Sequence, residues 1–340
     1  MEKRYEEILL KLEAEKGIYF EIPKETNNKL VIKARIDHKA YCMENCSNNP
    51  TKFTETDDFT FLRTDISSSK NYANPPIPPG YRYVHGNWNT GFVIERQKDE
   101  SQFVWVPVGF LEPNGTIDNV SFDQQFGRRD FRQKDYYGSS RDLGFGKSEC
   151  DEDLSLGLQK SIKKYGGFFI SRFNISHNSK TGKYESKRGR LPCSLTFSDA
   201  SYSATFFESS SKVCSHLPYG AEYDSILEWF IESKQKTPNE IIYDSSSFGN
   251  VRNSYRNENG NHVLLPTGSS EYFCVNEIYD LAGNVTEWTQ ETYDFQKHSP
   301  YSYIHRGGSY MDITPVAHKN RCDTDATRLN KTGFRIALYL

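Results

Sequence analysis

Apolar side chains between Glu2 and Lys16 fall at Tyr5, Ile8, Leu9 and Leu12, the three-and-four spacing of one helix face, and Gly17 ends the pattern. The runs GIYFEIP and KLVIKARI that follow carry the β-branched and aromatic residues of two strands around an Asn-containing turn. Residues 40–74 are rich in Asn, Ser, Thr and Asp and have no clear period. The segment NPPIPPG, Asn74 to Gly80, then denies the backbone helical or central-strand hydrogen bonds. A domain boundary is placed there. Residues 1–74 form a small attachment or oligomerisation unit, and residues 75–340 form the main domain.

In the main domain YRYVHGNW, GFVIERQ and QFVWVPVG read as three strands, the last with Phe103 and Trp105 alternating with valines as in a strand covered on both faces. Residues 110–165 are a long charged insertion, within which LSLGLQKSIKKYGG predicts one helix. GGFFISRFNIS, Gly166 to Ser176, predicts a strand that carries Arg172 and Asn174 outward if its apolar residues face in. Ser198-Asp199 caps a helix through Ala200, Ala204 and Phe207. HLPYGAEYDSILEWFIESK predicts a second, with Tyr223, Ile226, Leu227 and Phe230 on one stripe. Glu222 in its first turn reads as structural, stabilised by free helix amides, with no His or Cys taken to be near enough for acid–base work. Residues 235–262 read as loop. Short antiparallel sheets, two main helices and extensive loops make this an α+β fold.

Composition narrows the function classes. A formal net charge of −3 gives no global attraction to nucleic acid. The charged N-terminus lacks an apolar signal-peptide core and no stretch reads as a membrane span, so the expected site of synthesis is the cytoplasm, with a virion or cell surface reached by another route. With 22 Tyr and 22 Phe, flat rings are available both to fill space between irregular loops and to meet a ligand. Seven cysteines, an odd number, read as reduced thiols.

The densest chemistry lies in NEIYDLAGNVTEWTQE, Asn276 to Glu291. Gly283-Asn284 reads as a turn in which glycine takes a positive φ. Asn284 and Glu287, with a backbone carbonyl such as that of Val285, are hard oxygen ligands that a calcium ion could share, while the plainer reading is an Asx-turn with Trp288 plugging a core. Further on come RGGSY, Arg306 to Tyr310, and the terminal GFRIALYL.

Together D-x-x-G-N-V-x-E-W-T, R-G-G-S and G-F-R resemble the formylglycine-generating-enzyme (sulfatase-modifying factor) family from about Phe103 to Leu340. The resemblance implies a variant of the C-type lectin fold and makes any calcium at Asn284, Val285 and Glu287 structural. Its enzymes hold copper with two cysteines between R-G-G-S and G-F-R. Here those positions fall near Asp312 and Thr314 to Val316, and the interval contains Cys322 alone. One thiolate cannot supply paired soft ligation. The iron-dependent branch needs three histidines, and the eight here are scattered. Walker, G-x-S-x-G and H-E-x-x-H motifs are absent as well.

A non-catalytic ligand-binding protein is therefore the leading expectation, needing no cofactor and recognising a protein or surface glycan. The resemblance extends to phage-borne or retroelement-diversified variable proteins, whose variable positions precede the final strand. Here that surface would draw on Tyr293, Phe295, His298, Tyr301, Tyr303, Tyr310, Asp312, His318, Asn320, Asp323 and Arg328. The alternatives are an oxidoreductase of altered chemistry, with Arg172, Glu222, Asp280 and Arg306 converging, and a structural component of a particle assembled through residues 1–74.

Overall fold

The computed structural model describes residues 31–36, 39–44, 54–55, 60–61, 75–86, 90–108, 126–127, 150–151, 154–208, 212–252, 254–293, 303–313, 321–322 and 332–340, with the backbone alone for 31–61, 150–151, 292–293 and 321–322. Near the start of the described residues β1 (Val31–Ile36) pairs antiparallel with β2 (Lys39–Glu44), Val31 opposite Glu44. The KLVIKARI strand thus finds its partner downstream, and the anticipated helix from Glu2 lies outside the described residues.

The main sheet grows from the three predicted strands, β3 (Tyr81–His85), β4 (Phe92–Arg96) and β5 (Gln102–Pro107). Helix α1 (Leu156–Tyr165), started by the Ser155 side chain and stopped by Gly166 at φ 77°, leads into β6 (Gly167–Ser171). Helix α2 (Phe197–Thr205) precedes β7 (Cys214–His216), and helix α3 (Gly220–Glu232) follows it. The chain then passes α4 (Pro238–Ile242), β8 (Thr286–Tyr293), β9 (Tyr303–Arg306), β10 (Thr332–Phe334) and β11 (Ala337–Tyr339). Six strands form an antiparallel sheet in the order β7-β11-β6-β5-β4-β3.

Strand β5 shows why this sheet is buried on both faces. Successive side chains point to opposite sides, so Val104 and Val106 enter a core with α1 and α3, whereas Phe103 and Trp105 enter a second core with Ala200 of α2, Trp288 and Phe334. Each fully buried Phe or Val contributes roughly 1.5–3 kcal/mol of transfer free energy. Trp105→Ala would cost about 3–5 kcal/mol through lost transfer energy and the cavity it leaves.

Three local expectations change. Helix α2 begins at Phe197 because Thr196, two residues before the anticipated cap, accepts the Asp199 N–H at 3.1 Å. Helix α3 is buried around its whole circumference from Gly220 to Phe230, so its stripe understates the burial. The stretch 235–262 contains α4, set by a capping box between Thr237 and Glu240. Among the described residues no helix is long and apolar enough to cross a membrane.

Candidate functional site

The three C-terminal motifs meet in a second sheet. Strand β8 lies between β9, antiparallel to it, and β10, parallel to it, which sets Glu287 opposite Arg306 and Gly333, and Trp288 opposite His305 and Phe334. The Trp288 indole N–H donates to Leu195 O at 2.9 Å, and its ring meets Phe197 and His305 edge to face. Thr286 donates through Oγ1 to Thr332 Oγ1 at 3.0 Å.

The turn before β8 is as anticipated, with Gly283 at φ 73° and Asn284 at φ 57°. Gly283 N–H donates to Gly307 O at 2.9 Å, tying this turn to the R-G-G-S turn. Gly307, at φ 88°, tolerates no Cβ, which would stand 2.6 Å from Leu281 O and 2.8 Å from the Tyr223 hydroxyl.

Beneath these turns lies a floor of buried charge. Arg335 donates from Nε to Glu287 Oε1 at 2.8 Å, from Nη1 to Ser171 O at 2.9 Å, and from Nη2 to Tyr279 O. Asn174 Nδ2 donates to the same Glu287 oxygen at 2.6 Å. Arg306 donates from Nε to Glu291 Oε2 at 2.9 Å and from Nη2 to Asp224 Oδ1 at 2.7 Å. Burial alone would lower the Arg306 guanidinium, but Asp224 and Glu291 outweigh it and hold the group above its ordinary value. Glu287 behaves oppositely. Burial pushes its carboxyl up to about 7 against the pull of Arg335.

Arg172 and Asn174 correct an expectation, since both turn inward. Arg172 is buried, pairs with Glu277 Oε2 and donates to Gln102 Oε1 at 2.8 Å, and Asn174 is taken by Glu287. With both faces of the sheet covered, alternation cannot send either side chain to water. The four groups considered for altered chemistry stand in separate pairings: Arg172 with Glu277, Glu222 with His216, Asp280 with Thr267, Arg306 with Asp224 and Glu291.

The oxygens proposed for calcium divide. Asn284 Oδ1 accepts the Asn250 Nδ2–H and the Leu265 N–H, each at 3.0 Å, so donors occupy the directions a cation would need. Glu287 Oε2, Asp280 Oδ1 and Asn174 Oδ1, by contrast, are buried without a hydrogen-bond partner and are hard oxygens of the kind calcium takes. Among the described residues there is no group of three or more His, Cys, Asp or Glu that could hold a metal ion.

Above the floor runs a rim of two loops joined by the Arg252 N–H donating to Asp312 O at 2.9 Å. Asp312 Oδ2 accepts from Ser309 N at 2.6 Å, and the Tyr310 N–H donates to Asn284 O at 3.0 Å. Tyr255, Met311 and Ile313 face outward from it. Tyr303 is half-buried and lies flat on Phe197, centroids 3.4 Å apart. Tyr293 ends β8. Phe295, His298, Tyr301, His318, Asn320, Asp323 and Arg328 lie outside the described residues.

Residues 235–340 match the sulfatase-modifying factor enzyme 1-like domain. That span includes the turn at Gly283, all three motifs and the rim. No curated protein matches the chain. Among solved structures, the crystal structure of CarF is similar at 17% identity, covering 51% of this chain and 87% of that one with a TM-score of 0.39.

One constellation escaped the sequence reading. His216 Nε2 lies 2.8 Å from Glu222 Oε2, which also accepts the Tyr219 N–H at 2.9 Å as the cap of α3. Glu222 is structural as read, yet it does have an imidazole beside it. The signal was available, because His216 ends the strand that feeds this helix.

Proposed function

We infer that the chain is a non-catalytic recognition protein built on a C-type-lectin-like scaffold, with a protein or surface glycan as its ligand. One observation carries this reading. The charged groups beneath the turns are committed to one another, whereas Tyr255, Met311 and Ile313 project from loops fastened over them. Aromatic and flexible apolar side chains on a braced loop suit adaptable contacts. Phe295, His298, Tyr301, His318, Asn320, Asp323 and Arg328 remain candidate contact residues for the same ligand, and Tyr303 serves the rim as support through Phe197. Residues 1–74 attach the domain to an assembly or a second copy, on a virion or cell surface. A retroelement origin of variation here predicts a reverse transcriptase and template repeat beside the coding region.

Two measurements test this. Binding to glycan arrays and to immobilised surface proteins should be lost when Tyr255, Met311 and Ile313 are changed together to Ala, and unchanged binding would remove the rim from the site. Titration of the reduced chain with Cu(I) against a competing chelator should show no equivalent bound through Cys322. Tight one-to-one binding abolished by Cys322→Ser would favour an oxidoreductase of altered chemistry instead.

A further inference from the structure

The rim carries a cation that the pairings beneath it leave untouched. Residues 252–262, RNSYRNENGNH, hold two arginines and one glutamate. Arg256 and His262 face each other in an antiparallel bridge, and the tip between them is closed by Asn257, whose Oδ1 accepts the Asn259 N–H at 3.1 Å and the Asn261 N–H at 2.9 Å. Arg256 Nη1 donates to Gly260 O at 2.6 Å, so that guanidinium braces the hairpin. At its base a turn, closed by the Ser254 N–H on Val251 O at 2.9 Å, carries Arg252 and leads into Tyr255.

Arg252 is exposed, and its Nε donates to His262 Nε2 at 3.1 Å. The acceptor is a neutral imidazole with its proton on Nδ1. Loss of hydration, then the charges of Arg256 and Arg252, hold the ring below its ordinary value and keep it neutral at pH 7. Nδ1 itself is buried, so His262 supports the guanidinium and does not reach what binds in front of it. Among the described residues no carboxylate pairs with Arg252. Asp312, whose backbone fastens the loop, turns its Oδ2 to Ser309.

A guanidinium fixed through Nε keeps its Nη1 and Nη2 hydrogens in the planar fork that matches a carboxylate or sulfate. Holding it in place beforehand removes part of the ordering cost of binding. Tyr255, which follows the same turn, is 43% exposed, with its ring set edge-on against Phe273. A braced aromatic face suits the C–H side of a sugar ring. The exposed amides of Asn259 and Asn261 suit its hydroxyls. That combination favours a sugar over a peptide as the bearer of the anion.

We propose that the rim takes acidic glycans, with the Arg252 guanidinium on a carboxylate or sulfate, Tyr255 under the adjoining ring, and His262 as the residue that positions Arg252. This rests on the rim being the recognition surface and adds the chemical class of its ligand.

The test uses the full chain on matched glycan pairs that differ only in one carboxylate or one sulfate, sialyllactose, sulfated lactose and lactose among them, beside glutamate-rich peptides. Acidic members should be bound over their neutral matches, and rising salt should weaken that binding. Preference within the acidic set tells carboxylate from sulfate, and either agrees with the proposal. Arg252→Ala should weaken binding about tenfold, the worth of a charge-assisted hydrogen bond. Arg252→Lys should recover part of it, having the charge without the fork. His262→Leu should weaken binding by a smaller factor, whereas His262→Gln, whose amide oxygen still accepts from Nε, should bind near the wild-type level. Melting temperatures identify any variant that acts through the fold, and the two conservative variants keep the comparison decisive. Equal binding of neutral and acidic members, or acidic binding indifferent to Arg252→Ala, would overturn the proposal. If binding then still fell when Tyr255, Met311 and Ile313 were changed together, recognition at the rim would stand without it. Binding to the glutamate-rich peptides alone would overturn the proposal in favour of an acidic protein segment.

Discussion

Arg306 and Ile313 belong to neighbouring stretches of one chain and are held in opposite ways. Arg306 is 1% exposed, with two carboxylates on its guanidinium, and Ile313 is 59% exposed on a loop whose anchor is backbone and Asp312. The same contrast separates the whole floor from the rim. On the floor each charge has lost water and depends on a named partner, so a change there is felt by the fold. On the rim water remains an alternative partner, so a change is felt only by what binds. A scaffold can therefore vary its recognition surface while its motifs stay constant, because the two are energetically separate.

The strongest attempt to break that separation is Arg306→Met. It leaves Asp224 and Glu291 buried beside a neutral side chain, and should lower unfolding free energy by about 3–5 kcal/mol. Urea denaturation followed by tryptophan fluorescence measures this. A loss below about 1 kcal/mol would mean that the floor relaxes to admit water and that the contrast is one of degree.

Gly307→Ala comes next. The new methyl meets Leu281 O and the Tyr223 hydroxyl while the backbone keeps a positive φ. A cost of about 2–4 kcal/mol follows from strain and overpacking together. Since Gly307 bridges the turn at Gly283 to the rim, this variant should also alter binding, whereas Arg306→Met at a permissive temperature should do so less.

Glu287 sharpens the comparison through pH. Its carboxyl sits at about 7 in the folded chain because burial disfavours its charge, above the ordinary 4.5. An acid raised in this way contributes stability in full below about pH 4.5, and the contribution is lost as pH rises through about 7. The change amounts to roughly 3 kcal/mol at most. Denaturation midpoints across that window should show the decline in the wild type and a flattened profile in Glu287→Gln. If calcium occupies the oxygens of Glu287 and Asp280, millimolar calcium should raise the midpoint near pH 7 in the wild type and not in Glu287→Gln.

What could be read from residues alone follows a physical division. Turns, caps and strand alternation are set by neighbours in sequence, so Gly283-Asn284, the α1 helix and the doubly buried β5 were legible. The R-G-G-S and G-F-R segments were recognisable as motifs, but not as the two strands flanking β8, because register depends on distant partners. Arg172 and Asn174 were sent the wrong way for the same reason. Their partners Glu277 and Glu287 arrive from another part of the chain. Glu222 was half legible: its capping role is local, while its imidazole comes from a strand whose approach is fixed by the fold. On the rim, Tyr303 resembled its neighbours in composition, and only its contact with Phe197 distinguishes it as support.

The smallest expected effect is also the one that most directly separates the two regions. Changing Tyr255, Met311 and Ile313 to Ala should shift unfolding free energy by about 0.5 kcal/mol or less per site, as for exposed positions generally. Tyr255 has a reason to depart from that value, because its ring packs against Phe273 at 5.9 Å. Its variant should therefore lie at the upper end, with Ile313→Ala at the lower. Single-site denaturation curves rank the three, and binding measured on the same samples should rank them independently of stability. If binding loss instead tracked destabilisation site by site, the rim would be part of the folding unit. Recognition would then have to lie in the flanking segments alone.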